Sequence, residues 1–398
     1  MTPLLSNRRD ALALAGAAIF LAAAGGVLRV VDAAGRPLPE GDAYAPWRLW
    51  DEPSIRGTPL ALVAAGVLAA NPHDTQPWLF AVSADAIEIY ADLTRNLGAM
   101  DAYVRELHLG LGCAIENMTL AAGPNGYAAE GAVAPGSLSA LDERQTPVHA
   151  ASLRLTRRAP TTPDALYLAI PDRHTNRYAY DRGRAPPQDW RDFAAGAEFG
   201  DDVRVILIED GEKRRAFDAA VVEATEAIIA DKMMIADSDR WFRNSAAEID
   251  VHRDGPTLDA AGLSFLARTY ARVFPVSAAT AHQAWLDQTR DVQLASAPLV
   301  GLIAVRDRYD RTSAIAAGRV WQRLHLRATA LGLAMQPLNQ PIEMIDREKR
   351  AGLGATWEAR MARLTGPDRQ ATFAFRAGFT SQTAPPSPRR RLRDVLTG

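Results

Sequence analysis

Four short stretches of this sequence hold residue types that can do chemistry. The first is Asp172-Arg173-His174-Thr175-Asn176-Arg177, with two arginines four apart and a hydroxyl midway. Arginine forks grip phosphate with two parallel hydrogen bonds, and a threonine hydroxyl and backbone N–H groups can fill the remaining oxygens. The same spacing also suits a solvated charged loop, because arginine is abundant here: of 45 basic residues only Lys213, Lys232 and Lys349 are lysines. The second is Asn71-Pro72-His73-Asp74-Thr75-Gln76-Pro77-Trp78, where two prolines stiffen a run of polar groups before an apolar strand begins. His73, Asp74, Thr75 and Gln76 could line a planar polar ligand, or form an ordinary helix-to-strand turn. The third, Met335-Gln336-Pro337-Leu338-Asn339-Gln340-Pro341, again holds amides between prolines. The fourth, Arg389-Arg390-Arg391 after Pro385-Pro386-Ser387-Pro388, is either a solvated basic tail or a stiffened arm aimed at an anion.

These stretches need elements to position them. Propensity and period predict helices at Pro59–Ala70, Tyr103–Ala122, 187–196, Arg214–Ala230 and Thr312–Leu333. Strands are expected at Ala86–Ala91, Ser152–Thr156 (as an edge), Val203–Ile208, Pro298–Val305 and Thr372–Phe379. Residues 34–56 read as an irregular linker and 231–285, with Trp241 and Trp285, as an insertion that forms either a lid or a peripheral decoration. Val104–Ala122 and Val320–Leu333 share a basic residue and a Leu-His-Leu step, which suggests a duplicated α+β unit. The division that follows is 57–160 for the first half and 161–398 for the second.

Composition narrows the classes. The 398 residues are 48% hydrophobic and 23% charged, ordinary for a folded chain of two domains. A net charge of −2 argues against a dedicated nucleic-acid binder. One cysteine, Cys113, excludes an intramolecular disulfide and thiolate-rich metal sites; in its apolar helix it reads as a buried hydrophobe. His252 and His282 lack ligand-like spacing, and His108 and His325 read as packing residues, so no metal is expected. At the N-terminus, Arg8-Arg9 precedes Ala11–Leu28, eighteen residues without charge. That is the pattern of a signal peptide or short anchor over 1–33, similar to a twin-arginine signal although the usual aromatic and lysine are missing. It implies the twin-arginine translocase as a transient partner and a periplasmic or membrane-anchored location, with membrane association through residues 11–28. A non-functional signal would leave the protein cytoplasmic.

Taken together, the four stretches resemble the nitroreductase-like family of FMN-dependent oxidoreductases. Arg173-His174-Thr175-Asn176-Arg177 is similar to the family's Arg-x-Ser-x-Arg/Lys phosphate motif, with Thr175 for serine. Asp74-Thr75-Gln76-Pro77-Trp78 resembles its Asn-x-Gln-Pro-Trp loop, and Ala330-Leu331-Gly332-Leu333 with Pro337-Leu338-Asn339-Gln340 resembles its helix end and Pro-x-Glu-Gly turn beside the flavin ring. Arg389, Arg390 and Arg391 resemble its basic C-terminal segment. The length and two halves resemble the Acg-like branch, in which one polypeptide imitates the family's homodimer.

The resemblance implies an α+β, nitroreductase-like pseudo-dimer of antiparallel-rich sheets packed with long central helices, with one FMN per chain. It implies NAD(P)H as electron donor, a small electron-poor acceptor such as a nitro compound or quinone, and a monomer or loose dimer. The chemistry would lie on the flavin, with no catalytic side chain. Arg173, His174, Thr175, Arg177 and Arg389–Arg391 would bind the phosphate; Asp74, Thr75 and Gln76 would contact the ring or ribityl chain; and Pro337, Asn339 and Gln340 would lie at the ring edge. Asp74 stands where asparagine is usual, and Asn339-Gln340 replaces Glu-Gly. An ionised carboxylate disfavours an anionic reduced flavin, and Gln340 restricts the close approach that glycine permits. These departures bear on turnover rather than binding. They keep a second class in view, a non-catalytic flavoprotein that holds or sequesters FMN; a flavin-free interaction protein is a third.

Overall fold

A computed structural model of the chain describes residues 41–140, 147–196, 202–264, 267, 268, 270, 271, 274 and 276–397. The N-terminal signal or anchor lies outside the described residues. The first half runs α1 (Ala45–Leu49), α2 (Pro59–Gly66), β1 (Trp78–Val82), β2 (Ala86–Ala91), α3 (Arg105–Ala122), β3 (Tyr127–Val133) and β4 (Val148–Arg157). Next come α4 (Ala165–Leu168), α5 (Gln188–Ala195), β5 (Val203–Ile208), α6 (Gly211–Ala230), α7 (Lys232–Asp239), α8 (Ala246–His252) and α9 (Ala278–Asp287). The chain continues through β6 (Leu299–Val305), α10 (Arg311–Ala330), β7 (Ala334–Pro337), α11 (Gln340–Ala351), α12 (Thr356–Thr365) and β8 (Gln370–Gly378).

Two four-stranded antiparallel sheets result, ordered β1-β2-β4-β3 and β5-β6-β8-β7. In each, a long helix enters between the second and third strand in chain order: α3 in the first, α10 in the second. The expected α+β class, with two related halves and long central helices, is what the structure holds. The strand around 152–156 is not an edge: β4 lies between β2 and β3 and is paired along both sides.

The halves share one core. Leu62, Phe80, Ile89 and Ile115 of the first half pack in the same apolar cluster as Val320, Leu324, Phe373 and Phe375 of the second. In β2 alternate residues are buried, whereas β6 is buried at every position. The second sheet is covered on both faces, its outer one by Phe217, Ile342 and Trp357 of α6, α11 and α12.

The contact between the halves is the crossing of α3 and α10, and glycine sets its distance. A Cβ on Gly112 would lie 2.1 Å from the Ile315 carbonyl oxygen, and one on Gly318 would lie 2.0 Å from that of Leu109. This reciprocity relates positions 206 apart: Leu109 with Ile315, Gly112 with Gly318. The Leu-His-Leu steps at 107–109 and 324–326 are 217 apart, about three helical turns out of register. That sequence likeness therefore does not mark equivalent positions. Polar pairs flank the crossing: Arg319 and Arg323 donate to Glu116, at 2.8 and 3.1 Å, and Gln322 donates to Asn117 at 2.8 Å.

Both chain ends of the described structure cross between halves. Residues 41–56, expected as irregular linker, include a 3-10 turn at Asp42–Tyr44 and α1, and Trp47 is buried. The Trp47 indole N–H donates to the Ser387 carbonyl at 2.8 Å, and the Arg389 amide donates to the Ala43 carbonyl at 2.7 Å. The C-terminal residues then lie along the free edge of β1, through Phe80 N–H to Val395 and Thr397 N–H to Phe80, each 2.8 Å.

Candidate functional site

The loop after α2 is held in an uncommon shape. His73, Asp74 and Gln76 have φ of 44°, 51° and 50°. Each left-handed non-glycine residue costs on the order of 1–3 kcal/mol and persists only where its surroundings impose it. Here they do. Asn71 Oδ1 accepts from the Gln76 amide at 2.7 Å, Thr75 N–H donates to the Pro72 carbonyl at 2.9 Å, and Gly255 N–H donates to the Asp74 carbonyl at 3.1 Å. Asp74, Thr75 and Gln76 are all buried.

Three remote segments meet this loop. From the C-terminal strap, Arg389 donates to Asp74 Oδ1, to Ser387 Oγ at 2.6 Å and to the Ala69 carbonyl at 3.2 Å. The Arg390 amide donates to Gln76 Oε1 at 2.7 Å, while Gln76 Nε2 donates to the Arg253 carbonyl at 2.8 Å. From the 173–177 segment, Arg173 Nη2 donates to the Leu68 carbonyl at 3.1 Å. Arg173 and Arg389 thus reach consecutive carbonyls past the end of α2. From the N-terminal segment, Trp47 meets the His174 ring edge-on at 4.6 Å and lies 4.7 Å beneath the Arg389 guanidinium.

This pocket buries two cations, Arg389 with several partners and Arg173 with the Leu68 carbonyl. Arg173 is 3% exposed and Arg389 2%. The Nε of each has no partner among the described residues, nor do Asp74 Oδ2, Thr75 Oγ1 and His325 Nδ1. Burial, together with Arg389, pushes the Arg173 guanidinium down to about 9. Burial and the same two cations hold His174 well below the usual histidine range, and burial and Arg173 do so for His325. Burial pushes the Asp74 carboxyl up to about 7 despite Arg389.

Not every expected residue joins this group. Arg177 donates to the Ala260 carbonyl of the insertion at 3.1 Å, so the two arginines of the motif do not close on one partner. Its intervening residues are not helical, which spreads the two side chains; the Asn176 amide instead donates to the Met335 carbonyl at 3.1 Å. Thr175 is half-buried between them. Arg390 turns back to the Gln76 and Asp394 carbonyls, and Arg391 forms a surface pair with Asp394 at 2.8 Å. The insertion reaches the loop: His73 Nε2 lies 3.0 Å from Ser238 Oγ, and burial lowers His73 to about 4.

The 337–340 turn lies against the start of α3. Pro337 closes β7 opposite Phe375, and Asn339 is locked by its own side chain, donating to Glu106 at 2.9 Å and accepting from the Ala374 amide at 2.8 Å. Gln340 opens α11 with its buried Oε1 unpartnered. Beneath them Arg105 donates to Asp346 at 2.9 Å and to Glu106 at 3.3 Å, and Asp101 accepts from the Glu106 and Leu107 amides. Burial, reinforced by neighbouring carboxylates, raises Glu106 to about 7 and Glu343 well above the carboxylate range.

Sequence reasoning missed Trp47, Ser387 and His325 as members of the site. The only signal was tryptophan in a proline-rich stretch thought irregular. Two cavities, of about 330 Å³ beside Thr119, Tyr127 and Arg158 and about 480 Å³ beside Val222, Glu226 and Arg290, lie elsewhere. Among the described residues no group of three or more His, Cys, Asp or Glu is placed to hold a metal ion, and no helix is long and apolar enough to cross a membrane.

No family model matches this chain. Two Mycobacterium tuberculosis proteins, from strains CDC 1551 / Oshkosh and ATCC 25618 / H37Rv, each carry the name "Putative NAD(P)H nitroreductase". Each is 25% identical to it over 341 residues, 84% of this chain and 90% of theirs. A crystal structure of a nitroreductase with bound FMN from Desulfitobacterium hafniense DCB-2 is 14% identical, covering 60% of this chain and 99% of its own, with a TM-score of 0.34. That of the FMN-dependent nitroreductase NfnB from Mycobacterium smegmatis in complex with NADPH is 18% identical, covering 59% and 97%, with a TM-score of 0.37. Along most of its length, then, this chain is similar to proteins named as NAD(P)H nitroreductases.

Proposed function

We propose that this protein is an FMN-binding oxidoreductase of nitroreductase type, in the two-half Acg-like branch. It takes two electrons from NAD(P)H and passes them to a small electron-poor acceptor, a nitro compound or a quinone. The observation that carries this reading is the pair of buried guanidiniums, Arg173 and Arg389, each with an unpartnered Nε and with one carboxylate between them. Two buried cations facing a single anion call for further negative charge, and a phosphate monoester supplies it. The mycobacterial relatives, aligned through both halves, support the same reading.

The residues present fit FMN. Arg173 and Arg389 would hold the phosphate, with the Thr75 hydroxyl as a further donor and His174 and Trp47 walling the pocket. Gln76, fixed between Arg253 and Arg390, orients the loop toward the ligand. Asn339 spends its side chain on the fold, so the 337–340 turn would meet the ring edge with backbone groups and the free Gln340 Oε1. Bound FMN supplies hydride acceptance and donation. The chain's part is to place it, neutralise its charge and exclude water, the last through the insertion that packs on the 73–76 loop. One FMN per chain is supported by residues 136–138. They cover the start of α10, the counterpart of the α3 end beside Asn339, through Arg311 N–H to the Gly136 carbonyl at 2.8 Å.

Export by the twin-arginine route, with the protein working as a monomer or loose dimer outside the cytoplasm, completes the proposal; Arg8-Arg9 and the uncharged stretch 11–28 support it. A second reading, a flavoprotein that holds FMN without turnover, is favoured by Gln340 in place of glycine. Purified full-length protein distinguishes them. A yellow protein bleached rapidly by NADPH or NADH without oxygen, and reoxidised by a nitroaromatic or quinone, supports the oxidoreductase. Full FMN content without bleaching selects the second reading, and a chain that neither retains nor takes up FMN overturns both.

A further inference from the structure

Among the described residues, Asp74 is the carboxylate that pairs with Arg389 in this pocket. Its Oδ1 pairs with Arg389, its Oδ2 is buried without a partner, and the residue is 8% exposed. The loop that carries it is pinned from both sides, by the Gly255 amide on the Asp74 carbonyl and by Asn71 on the Gln76 amide. The carboxyl group therefore cannot swing away cheaply when a second anion arrives. We propose that Asp74 is an internal counter-anion that competes with the ligand's phosphate at Arg389, so that phosphate binding is coupled to uptake of one proton by the Asp74 carboxyl group.

The proposal rests on the flavin reading for the identity of the ligand. Its physics is local. A phosphate dianion placed between Arg173 and Arg389 sets like charge beside a buried carboxylate, which favours the protonated form. The bare Oδ2 can take a proton from solvent without breaking any existing hydrogen bond. Several groups face Asp74: Arg389 from the strap, Arg173 from the 173–177 segment, where His174 neighbours both arginines, and Arg95 from the turn after β2. Asp254 faces it from the insertion, and His73 and Asn71 from its own loop. Asp254 is already bridged by Arg95 and Arg243. His73 and His174 titrate well below neutrality, and a phosphate monoester loses its second proton near pH 6. That leaves Asp74, raised by burial to about 7, as the facing group that changes charge between pH 7 and 8; Arg173, lowered to about 9, follows only at the alkaline end of the range.

The test is a titration of the flavin-stripped full-length chain with FMN at pH 7, 8 and 9, followed by flavin fluorescence, with riboflavin as the phosphate-free probe. Calorimetry in two buffers of different ionisation heat counts the protons. The FMN dissociation constant is expected to rise toward tenfold per pH unit above pH 7, with uptake approaching one proton. Riboflavin binding is expected to stay flat. In Asp74→Asn, checked for folding by circular dichroism, the slope between pH 7 and 8 should vanish and FMN should bind about tenfold tighter than wild type at pH 8. A flat wild-type profile without proton uptake overturns the proposal while leaving FMN binding intact. So does a slope between pH 7 and 8 that persists in Asp74→Asn, or weaker binding by that variant. No FMN binding at any pH overturns the flavin reading itself. The wild-type proton count between pH 7 and 8, below the range of Arg173, decides the matter even if the variant does not fold.

Discussion

Arginine is everywhere in this chain, and its meaning changes with its surroundings. Arg391 is exposed and paired with Asp394, an arrangement worth at most about 1 kcal/mol. Arg173, by contrast, is buried with, among the described residues, a single carbonyl partner and a bare Nε. A guanidinium in that state gains most from a bound anion, because charge-assisted hydrogen bonds in a dry site are worth about 1.5–3 kcal/mol. Arg173→Met, which keeps the apolar stem, should weaken FMN binding about 10- to 100-fold and leave riboflavin nearly unchanged, as read by fluorescence titration. Arg391→Ala should leave both unaffected. Equal losses in the two variants would mean that the basic residues act through overall charge rather than through this pocket.

Among the elements, the crossing of α3 and α10 decides how the halves meet. Its closeness depends on Gly112 and Gly318, each facing backbone that a methyl group would strike. Flexible side chains can yield to an added methyl group; backbone of a packed helix cannot. Gly112→Ala and Gly318→Ala should therefore each destabilise the protein by about 1–3 kcal/mol or more, measured by urea unfolding. Gly131→Ala, on a strand with only the Leu153 side chain 3.4 Å away, should stay within about 0.5 kcal/mol. If the helix glycines prove as tolerant as Gly131, the crossing is looser than this geometry requires. The two glycines are unremarkable in sequence, since only the partner helix shows why a side chain is refused there.

At the scale of the molecule, the halves are laced together by the chain ends as well as by the core. The strap from Ser387 to Thr397 carries Arg389 into the first half, binds Trp47 and pairs with the exposed edge of β1. Ending the chain at Ala384 removes those contacts and uncovers a strand edge, which invites association. Such a truncation should lose FMN binding and on the order of 3–5 kcal/mol of stability, by the loss of several hydrogen bonds and buried apolar groups. Calorimetry and size-exclusion chromatography would show this; a truncated chain that melts like the full one would make the strap a mere tail.

The sequence by itself did not show β7 or α11, but it determined β2, β4, β5, β6 and β8, the long helices α3, α6 and α10, the α+β class and the four stretches that hold polar chemistry. Those follow from local period, proline placement and charge, which act over a few residues. It could not register the halves against each other: the Leu-His-Leu likeness pointed eleven residues away from the symmetric contacts, because apolar helix patterns repeat every few turns. It also could not show that Arg173 turns from Arg177 to Arg389, that Trp47 belongs beside them, or that Arg391 faces water. Burial and ionic pairing depend on which distant segments meet, and the tertiary structure alone placed Leu68, Asp74, Arg173 and Arg389 around one pocket.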